Sequence, residues 1–252
     1  MTTSEETRDG FLGGRLTILQ PRFGYRAGVD PVLLAAATPA KPNQRVLDVG
    51  CGVGTAAFCL GARVTGLHLS GLEVQPEYAA LARRNGEANG IAIEVFDGDL
   101  AHPPAALNEQ SFDHVITNPP YYRRDRSTAS PNEGRDIALA GATSLETWID
   151  FATRRLLPKG YLTLIQRADR LADVLRAMDD RVGSIRIRPV CARIGRAAEL
   201  VIVQARKGGR ADMVLEAPFI MHDGPRHDSD RDDYTMEARA ILRNGAPLEW
   251  SS

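Results

Sequence analysis

The stretch that decides the fold is Phe112-Asp113-His114-Val115-Ile116-Thr117-Asn118-Pro119-Pro120-Tyr121-Tyr122. It begins as an apolar run typical of a buried parallel strand, and two consecutive prolines then end it. Because proline has no N–H to donate to a strand ladder, the prolines stop the sheet and stiffen the chain where it leaves. Asn118, the Pro119 carbonyl and the Tyr121 ring are therefore expected at the carboxyl edge of an α/β sheet, where such folds bind ligands. An amide oxygen, a backbone acceptor and an aromatic face suit a planar substrate with an NH2 group, although a strand followed by a plain proline turn is the alternative.

Length and composition narrow the class of protein. With 252 residues, 43% of them hydrophobic, the chain suits one α/β domain of about 200 residues with extensions. No apolar run approaches the roughly 20 residues of a membrane span, and the polar start of the chain does not resemble a signal peptide. Three cysteines, not spaced as metal ligands, indicate a reduced, cytoplasmic setting without a metal. The formal net charge of −1 excludes a uniformly basic surface but not a nucleic-acid partner.

Strands and helices alternate along the middle of the chain, which predicts a parallel sheet with helices on both faces. Asp30 followed by Pro31 predicts a helix start with an N-cap acid, and Thr143 with Glu146 predicts a capping box. A polar loop is expected over 123–143. The predicted strands cover 45–49, 68–73, 93–96, 112–117 and 161–165, with an antiparallel end at 184–190 and 199–205, and the later helices cover 55–60, 76–89 and 169–178.

A glycine-rich turn follows the first strong strand, in Asp48-Val49-Gly50-Cys51-Gly52-Val53-Gly54-Thr55. Its three glycines let the backbone bend sharply and approach a ligand without side-chain clash. The dinucleotide fingerprint needs its third glycine at position 55, where this chain has threonine, and the Gly-Lys-Thr of a P-loop is missing. Asp48 would repel a pyrophosphate, so the turn suits a cationic ligand better.

Acidic residues accompany the ends of three successive predicted strands, at Asp48, Glu73 and Asp99. Glu73 is placed to accept hydrogen bonds from ribose hydroxyls, and Asp99, beside Leu100, could accept one from an adenine amino group. Asp48 or Asp99 alone could simply cap a helix. Together with the glycines they predict a pocket for a nucleoside that carries positive charge, and S-adenosylmethionine has that character in its ammonium and sulfonium.

This combination resembles the class I S-adenosylmethionine-dependent methyltransferases. Asn118-Pro119-Pro120-Tyr121 looks like the signature of enzymes that methylate exocyclic or amide nitrogens, in adenine, guanine or glutamine. Two further stretches make the resemblance more specific. They are the N-terminal segment from Gly14 to Asp30, which contains Phe23-Gly24-Tyr25-Arg26-Ala27-Gly28, and the C-terminal stretch from Tyr234 to Leu242. They are similar to the bacterial tRNA1(Val) adenine N6-methyltransferase family, which modifies an adenine in the anticodon loop.

The resemblance implies a Rossmann-like class I methyltransferase fold, with a seven-stranded, mostly parallel sheet, an antiparallel final hairpin and helices on both faces. It implies an N-terminal extension packing on the cofactor site (1–40), a catalytic domain (41–210) and a C-terminal extension (211–252). The segment before the first strand would line the methionine end of the cofactor, although a helix-cap role explains Asp30 equally well. The residues expected to bind S-adenosylmethionine are Tyr25, Arg26, Asp30, Asp48, Gly50, Gly52, Gly54, Thr55, Glu73, Asp99, Leu100 and Asn118.

The implied reaction is methylation of the N6 amine of an adenine in tRNA(Val), by a monomer or homodimer. The expected catalytic residues are Asn118, Pro119, Pro120 and Tyr121, and the expected RNA-binding residues are Tyr122, Arg123, Arg124 and Arg126. Tyr122 would stack or pack, and the arginines would hold phosphates or lie in a solvated loop. The alternatives are a glutamine methyltransferase of a release factor or another protein, an rRNA guanine N2-methyltransferase, and a non-enzymatic, cofactor-binding RNA chaperone.

Overall fold

The computed structural model describes residues 6–121, 143–224, 226 and 233–251. The strands are β1 (Glu6–Phe11), β2 (Leu16–Pro21), β3 (Arg45–Val49), β4 (His68–Glu73), β5 (Ile93–Asp97), β6 (Phe112–Thr117), β7 (Leu156–Arg167), β8 (Val182–Cys191), β9 (Ala198–Lys207), β10 (Val214–Leu215) and β11 (Phe219–Ile220). The helices are α1 (Asp30–Ala37), α2 (Thr55–Arg63), α3 (Pro76–Asn89), α4 (Ala105–Asn108), α5 (Leu145–Arg155), α6 (Leu171–Ala177) and α7 (Met236–Asn244). Short 3-10 turns cover 12–14 and 168–170.

The central sheet has the strand order β5-β4-β3-β6-β7-β9-β8. Its strands run parallel except β9, which is antiparallel to both β7 and β8, so the predicted mostly parallel sheet with an antiparallel end is confirmed. The described sheet has nine strands rather than seven, because the two-residue strands β10 and β11 add parallel pairs to the outer edge of β8. The strand order reverses between β3 and β6, and such a switch point opens a crevice at the carboxyl ends of the strands.

The core lies on both faces of this sheet. Alternate residues of β3 belong to the hydrophobic clusters on opposite faces of the sheet. Val46 is in the cluster of Leu33 and Phe58, whereas Leu47 is in the cluster of Phe112 and Ile149. A strand that is buried on both faces has to be apolar along its length, which is why the predicted runs were nearly continuous. Within the described ranges, no helix is long and apolar enough to cross a membrane.

The separate β1–β2 hairpin is tied to the central domain through helix α3. The Asn85 side chain accepts from the Leu19 N–H at 2.7 Å and donates to the Leu19 carbonyl at 3.0 Å, and Asn89 makes the same pair of bonds with Thr17, both at 2.9 Å. The spacing fits because four helical residues rise about 6 Å and two strand residues about 6.6 Å. The two asparagine side chains thereby satisfy backbone groups of β2 that a neighbouring strand would otherwise bond. These bonds also fix the position at which the chain leaves β2.

Two predicted helix starts are wrong by one residue. Val29 occupies the N-cap of α1, so Asp30 is already helical and its carboxylate accepts a hydrogen bond from the Tyr121 hydroxyl instead. Ser144 caps α5 by accepting from the Thr147 N–H at 3.2 Å, one position after the predicted cap at Thr143. Ser and Thr have the same capping chemistry, so adjacent candidates cannot be separated by residue type. The predicted helix over 169–178 is shorter, since its first turn is a 3-10 turn.

Candidate active site

Four segments meet at the carboxyl edge of the sheet near the switch point. They are the glycine turn after β3, the tip of β4, the chain that follows β6, and the segment between β2 and α1. Hydrogen bonds join these segments in pairs. The Gly52 N–H of the glycine turn donates to Glu73 at the tip of β4, and the Asn118 side chain after β6 donates to the hydroxyl of Tyr25, which precedes α1. The sequence-predicted strand ends therefore come together in one place.

The glycine turn needs its glycines for two different reasons. Gly50, Gly52 and Gly54 have φ values of +68°, +55° and +86°, in the left-handed region that side chains disfavour. A Cβ atom at Gly50 would lie 2.4 Å from the Trp148 ring, and one at Gly54 would lie 2.4 Å from the Phe58 ring. A Cβ at Gly52 would meet no described atom within 4 Å. The outer glycines thus allow packing below the turn, and Gly52 presents bare backbone towards the crevice.

Glu73 ties the tip of β4 to the glycine turn. Its Oε2 accepts from the Gly52 N–H at 2.8 Å and its Oε1 from the Gln75 N–H at 2.9 Å, and the residue is 5% exposed. Burial raises the pKa of Glu73, while these backbone donors act in the opposite direction. Each carboxylate oxygen has a second lone pair, so Glu73 can accept further hydrogen bonds from a bound diol.

Asp48 is a buried carboxyl group with an unused acceptor. It is 3% exposed, and its Oδ2 has no hydrogen-bond partner within the described residues. Burial is the main reason that the pKa of Asp48 is raised to about 7; the nearby charge of Glu73 acts in the same direction, and a backbone hydrogen bond from Ala57 acts against both. The buried Thr55 hydroxyl likewise lacks a partner in the described part of the chain. Unpaired buried polar groups are costly, so this corner fits a ligand that supplies a cation or a donor.

Asn118 is oriented by an aromatic residue from the segment before α1. Its Nδ2 donates to the Tyr25 hydroxyl at 3.2 Å, and the Tyr25 carbonyl accepts from the Tyr78 hydroxyl at 3.2 Å. The Asn118 Oδ1 is buried and has no partner among the described atoms. Burial, followed by the charges of Asp30 and Asp48, raises the pKa of Tyr25 to about 12, so its hydroxyl stays protonated near neutral pH. The amide oxygen is therefore a buried acceptor with no partner among the described residues.

Tyr121 is anchored at its hydroxyl. It donates to the Asp30 Oδ2 at 2.6 Å, which links the start of α1 to the end of the Asn-Pro-Pro-Tyr motif. Burial first, and then the charge of Asp30, raise the pKa of Tyr121. Because one end of the side chain is held, the position of the ring is restricted. Asp30 therefore contacts the motif, a role that neither the cofactor-ligand prediction nor the helix-cap prediction contained.

The Pro119 carbonyl accepts a hydrogen bond from the Gln166 side chain at 3.3 Å. Gln166 is fully buried at the end of β7 and was not predicted as a site residue. Its one sequence signal is a polar side chain directly after the mostly apolar run 161–165. Tyr78 lies on α3, and its contact with Tyr25 depends on tertiary structure.

Some predicted site residues are engaged elsewhere. The Arg26 guanidinium binds Asp9 at 2.8 Å, with further bonds to Thr7 and the Pro21 carbonyl, so the structure gives its cofactor role no support. Asp99 does not end a strand as predicted, because β5 stops at Asp97; it accepts from the Ala101 N–H at 2.9 Å. Leu100 is buried in the core beneath this turn.

The predicted RNA-binding residues Tyr122, Arg123, Arg124 and Arg126 lie outside the described residues.

The arrangement defines the chemistry that the crevice can support. Two neutral oxygen acceptors, Asn118 Oδ1 and the Pro119 carbonyl, follow β6, and two carboxyl groups, Asp48 and Glu73, lie on β3 and β4. No group of three metal-binding side chains occurs in the residues that the structure describes. These features suit transfer of a group from a cationic donor to a planar amine.

The sheet order, the glycine turn and the carboxylates at the strand tips define a class I methyltransferase. The model of the methyltransferase small domain family matches residues 27–187, and the chain belongs to this family. It is 33% identical to a tRNA1(Val) (adenine(37)-N6)-methyltransferase of Porphyromonas gingivalis, over 72% of this chain and 74% of the relative. The family resemblance predicted from the motifs is therefore confirmed.

Two solved structures share the fold. A protein from Agrobacterium tumefaciens described as a predicted O-methyltransferase superimposes with a TM-score of 0.71 and is 28% identical, covering 87% of this chain and 98% of that one. The 16S rRNA N2 G1207 methyltransferase of Thermus thermophilus, solved with AdoMet and guanosine, gives a TM-score of 0.56 and 19% identity, over 80% of this chain and 50% of that one. The second likeness concerns the fold alone.

Proposed function

We propose that the protein transfers a methyl group from S-adenosylmethionine to the N6 amine of an adenine in the anticodon loop of tRNA(Val). The observation that carries this proposal is the buried Oδ1 of Asn118, which has no partner among the described residues and precedes the Pro119 carbonyl at the carboxyl edge of the sheet. Relatives such as the Porphyromonas gingivalis protein, which is named for this reaction, support adenine in tRNA as the substrate.

The residues of the crevice fit S-adenosylmethionine. Glu73 would accept from the ribose hydroxyls, the unpaired Asp48 would face the ammonium end, and the bare backbone at Gly52 permits close approach. Asp99, in the turn after β5, would accept from the adenine amino group of the cofactor. When bound, S-adenosylmethionine supplies an electrophilic methyl group on its sulfonium.

Asn118 and Pro119 would make the target amine nucleophilic. The lone pair of an aromatic amine is delocalised into the ring, so the free amine is a poor nucleophile. Hydrogen bonds from its two N–H groups to the Asn118 Oδ1 and the Pro119 carbonyl draw the nitrogen towards tetrahedral geometry. The same oxygens stabilise the positive charge that develops on nitrogen during transfer, because they are oriented beforehand. A strong base is not needed until the product nitrogen loses its proton.

Tyr121 would stack on the extruded adenine, with its ring held in place by Asp30. Stacking of a base on an aromatic side chain contributes about 1–3 kcal/mol, comparable to the cost of unstacking a loop nucleotide. A base in a single-stranded loop is easier to extract than one in a duplex. The anchored ring thus favours a loop adenine as the target.

Labelled S-adenosylmethionine is incubated in parallel with total tRNA, rRNA and protein extract from a strain that lacks the gene. We expect one tRNA to be labelled, and mass spectrometry of its nucleosides to give N6-methyladenosine. Label in protein alone would favour the glutamine methyltransferase, and N2-methylguanosine in rRNA would favour the guanine enzyme. Tight cofactor binding without turnover on any of these substrates would favour the RNA chaperone.

The raised pKa of Asp48 predicts a pH-dependent cofactor affinity. Below pH 7 the free protein holds this carboxyl group protonated, so a cationic ligand has to displace the proton. We expect the Kd for S-adenosylmethionine to rise as pH falls from 7 to 5.5, by up to about tenfold per unit. The cofactor ammonium remains protonated across that range, because an α-amino group has a pKa of about 7.7–8.0. Calorimetry at several pH values measures the slope.

Asp48→Asn is the matched variant for this prediction. Its affinity should be weaker and independent of pH. In the free protein the folded pKa of Asp48 lies above the unfolded value of about 3.9, so its stabilising contribution is complete below pH 4 and is lost as pH rises through 7. Wild type should therefore lose thermal stability relative to Asp48→Asn between pH 5 and 8. A flat Kd for wild type would exclude Asp48 from the binding site.

A further inference from the structure

The Pro119 carbonyl lies where the strand ladder has ended. Pairing between β6 and β7 ends with Thr117 opposite Leu164, while β7 continues to Arg167. The same register places Gln166 opposite Pro119, and proline cannot extend the ladder because it has no N–H. The Gln166 side chain, rather than the backbone of β7, therefore makes the bond to the Pro119 oxygen, at 3.3 Å.

The orientation of the Gln166 amide is determined by its two partners. Its Oε1 accepts from the Arg167 backbone N–H at 2.9 Å, and an N–H can only donate. Its Nε2 must then face Pro119, whose carbonyl can only accept. Gln166 has an exposure of 0%, so water does not compete for either bond.

We propose that Gln166 is a positioning residue for methyl transfer, which holds the Pro119 carbonyl towards the substrate amine. This proposal rests on the proposed function, in which that carbonyl accepts from the amine. A carbonyl oxygen has two lone pairs. Gln166 occupies one and restrains the oxygen, which leaves the other lone pair for the substrate. Rates of enzymatic group transfer depend steeply on such placement, with displacements of about 1 Å costing about 10²-fold.

Gln204 provides a matched control. It is also a buried glutamine of the central sheet, 4% exposed on β9, and its Nε2 donates to the Ala37 backbone carbonyl at 3.4 Å. Ala37 ends α1 and belongs to none of the segments that form the crevice. The two glutamines share burial, chemistry and bond type, so a purely structural role predicts similar consequences when either is replaced.

The test compares single-turnover methyl transfer in wild type, Gln166→Leu and Gln204→Leu. We expect Gln166→Leu to reduce the rate about 10- to 100-fold, with the Kd for S-adenosylmethionine and for tRNA within about twofold of wild type. Gln204→Leu should keep the wild-type rate within about twofold, although both variants lower the Tm. Equal rates in the two variants would overturn the proposal. Failure of wild type itself to methylate adenine would instead refute the proposed function.

Gln166→Glu adds a readout that a structural role would not move. Burial raises the pKa of an introduced carboxyl group, and its protonated form can again donate to the Pro119 carbonyl. The rate of Gln166→Glu relative to wild type should therefore increase at least several-fold as pH falls from 8 to 6. A pH-independent ratio would contradict the proposal. If Gln166→Leu does not fold, the ratio measured for Gln166→Glu is the test of the proposal. If neither variant folds while Gln204→Leu does, Gln166 is a structural residue and the proposal fails.

Discussion

Replacing Asn118 with alanine is expected to reduce kcat for adenine methylation about 10³-fold, while the Kd for S-adenosylmethionine changes by no more than about twofold. The variant loses the buried Oδ1, which has no partner in the described structure and which, in the proposed reaction, accepts from the substrate amine. Preorganised hydrogen-bond partners of a transition state are typically worth about 10²- to 10³-fold each. Tyr25 loses one hydrogen-bond donor, and the rest of its contacts do not involve Asn118, so folding should be little affected.

Two further variants sharpen this prediction. Asn118→Asp retains an oxygen acceptor and should keep part of the activity, about tenfold below wild type. Asn108→Ala removes an asparagine at the end of α4 that donates to the Pro103 carbonyl at 3.3 Å, and its kcat should equal that of wild type. Single-turnover rates and calorimetry measure the two quantities separately. A rate for Asn118→Ala within about threefold of wild type would remove Asn118 from the mechanism.

Glu73→Ala is expected to raise the Kd for S-adenosylmethionine about 100-fold or more. Hydrogen bonds to a charged acceptor contribute about 1.5–3 kcal/mol each, and two ribose hydroxyls would be lost as donors. Every 1.4 kcal/mol corresponds to about tenfold in Kd. The variant also frees the Gly52 and Gln75 N–H groups, so the glycine turn is less restrained. Calorimetry at a temperature where circular dichroism shows the variant folded measures the effect.

Asp97→Ala is the control for that experiment. Asp97 is the register partner of Glu73 on β5, so it also ends a strand at the same edge of the sheet. Its side chain is 51% exposed and pairs with Arg83. Surface ion pairs contribute about 0–1 kcal/mol, and we expect an unchanged Kd. Equal affinities in Glu73→Ala and wild type would place Glu73 outside the cofactor site.

The parallel half of the sheet was predictable because its signals are local. The apolar runs that form β3, β4 and β6 stand between turn residues, and the helix from Pro76 to Asn89 begins with proline and ends at Gly90 in the left-handed conformation. Burial on both faces leaves little freedom in residue type. The short strands β10 and β11 were missed because two residues carry no periodicity, and their pairing with β8 depends on tertiary contacts.

Residue type alone indicated a candidate site but not which protein groups its charged side chains contact. Asp30 was expected to bind the cofactor or cap a helix, and Arg26 was expected in the cofactor site. In the structure Asp30 holds Tyr121 and Arg26 holds Asp9. Acids and arginines have many possible partners, and the partner is chosen by how distant segments approach each other.

The sequence by itself determined the order of the strands and helices, the glycine turn and the motif at the end of β6, because each depends on neighbouring residues and backbone preferences. The tertiary structure alone decided which groups hold that motif. Tyr25 orients Asn118 across 93 positions of sequence, and Gln166 reaches Pro119 across 47. Such contacts arise from the register of β6 with β7 and from the attachment of β2 to α3, neither of which is encoded in any single stretch.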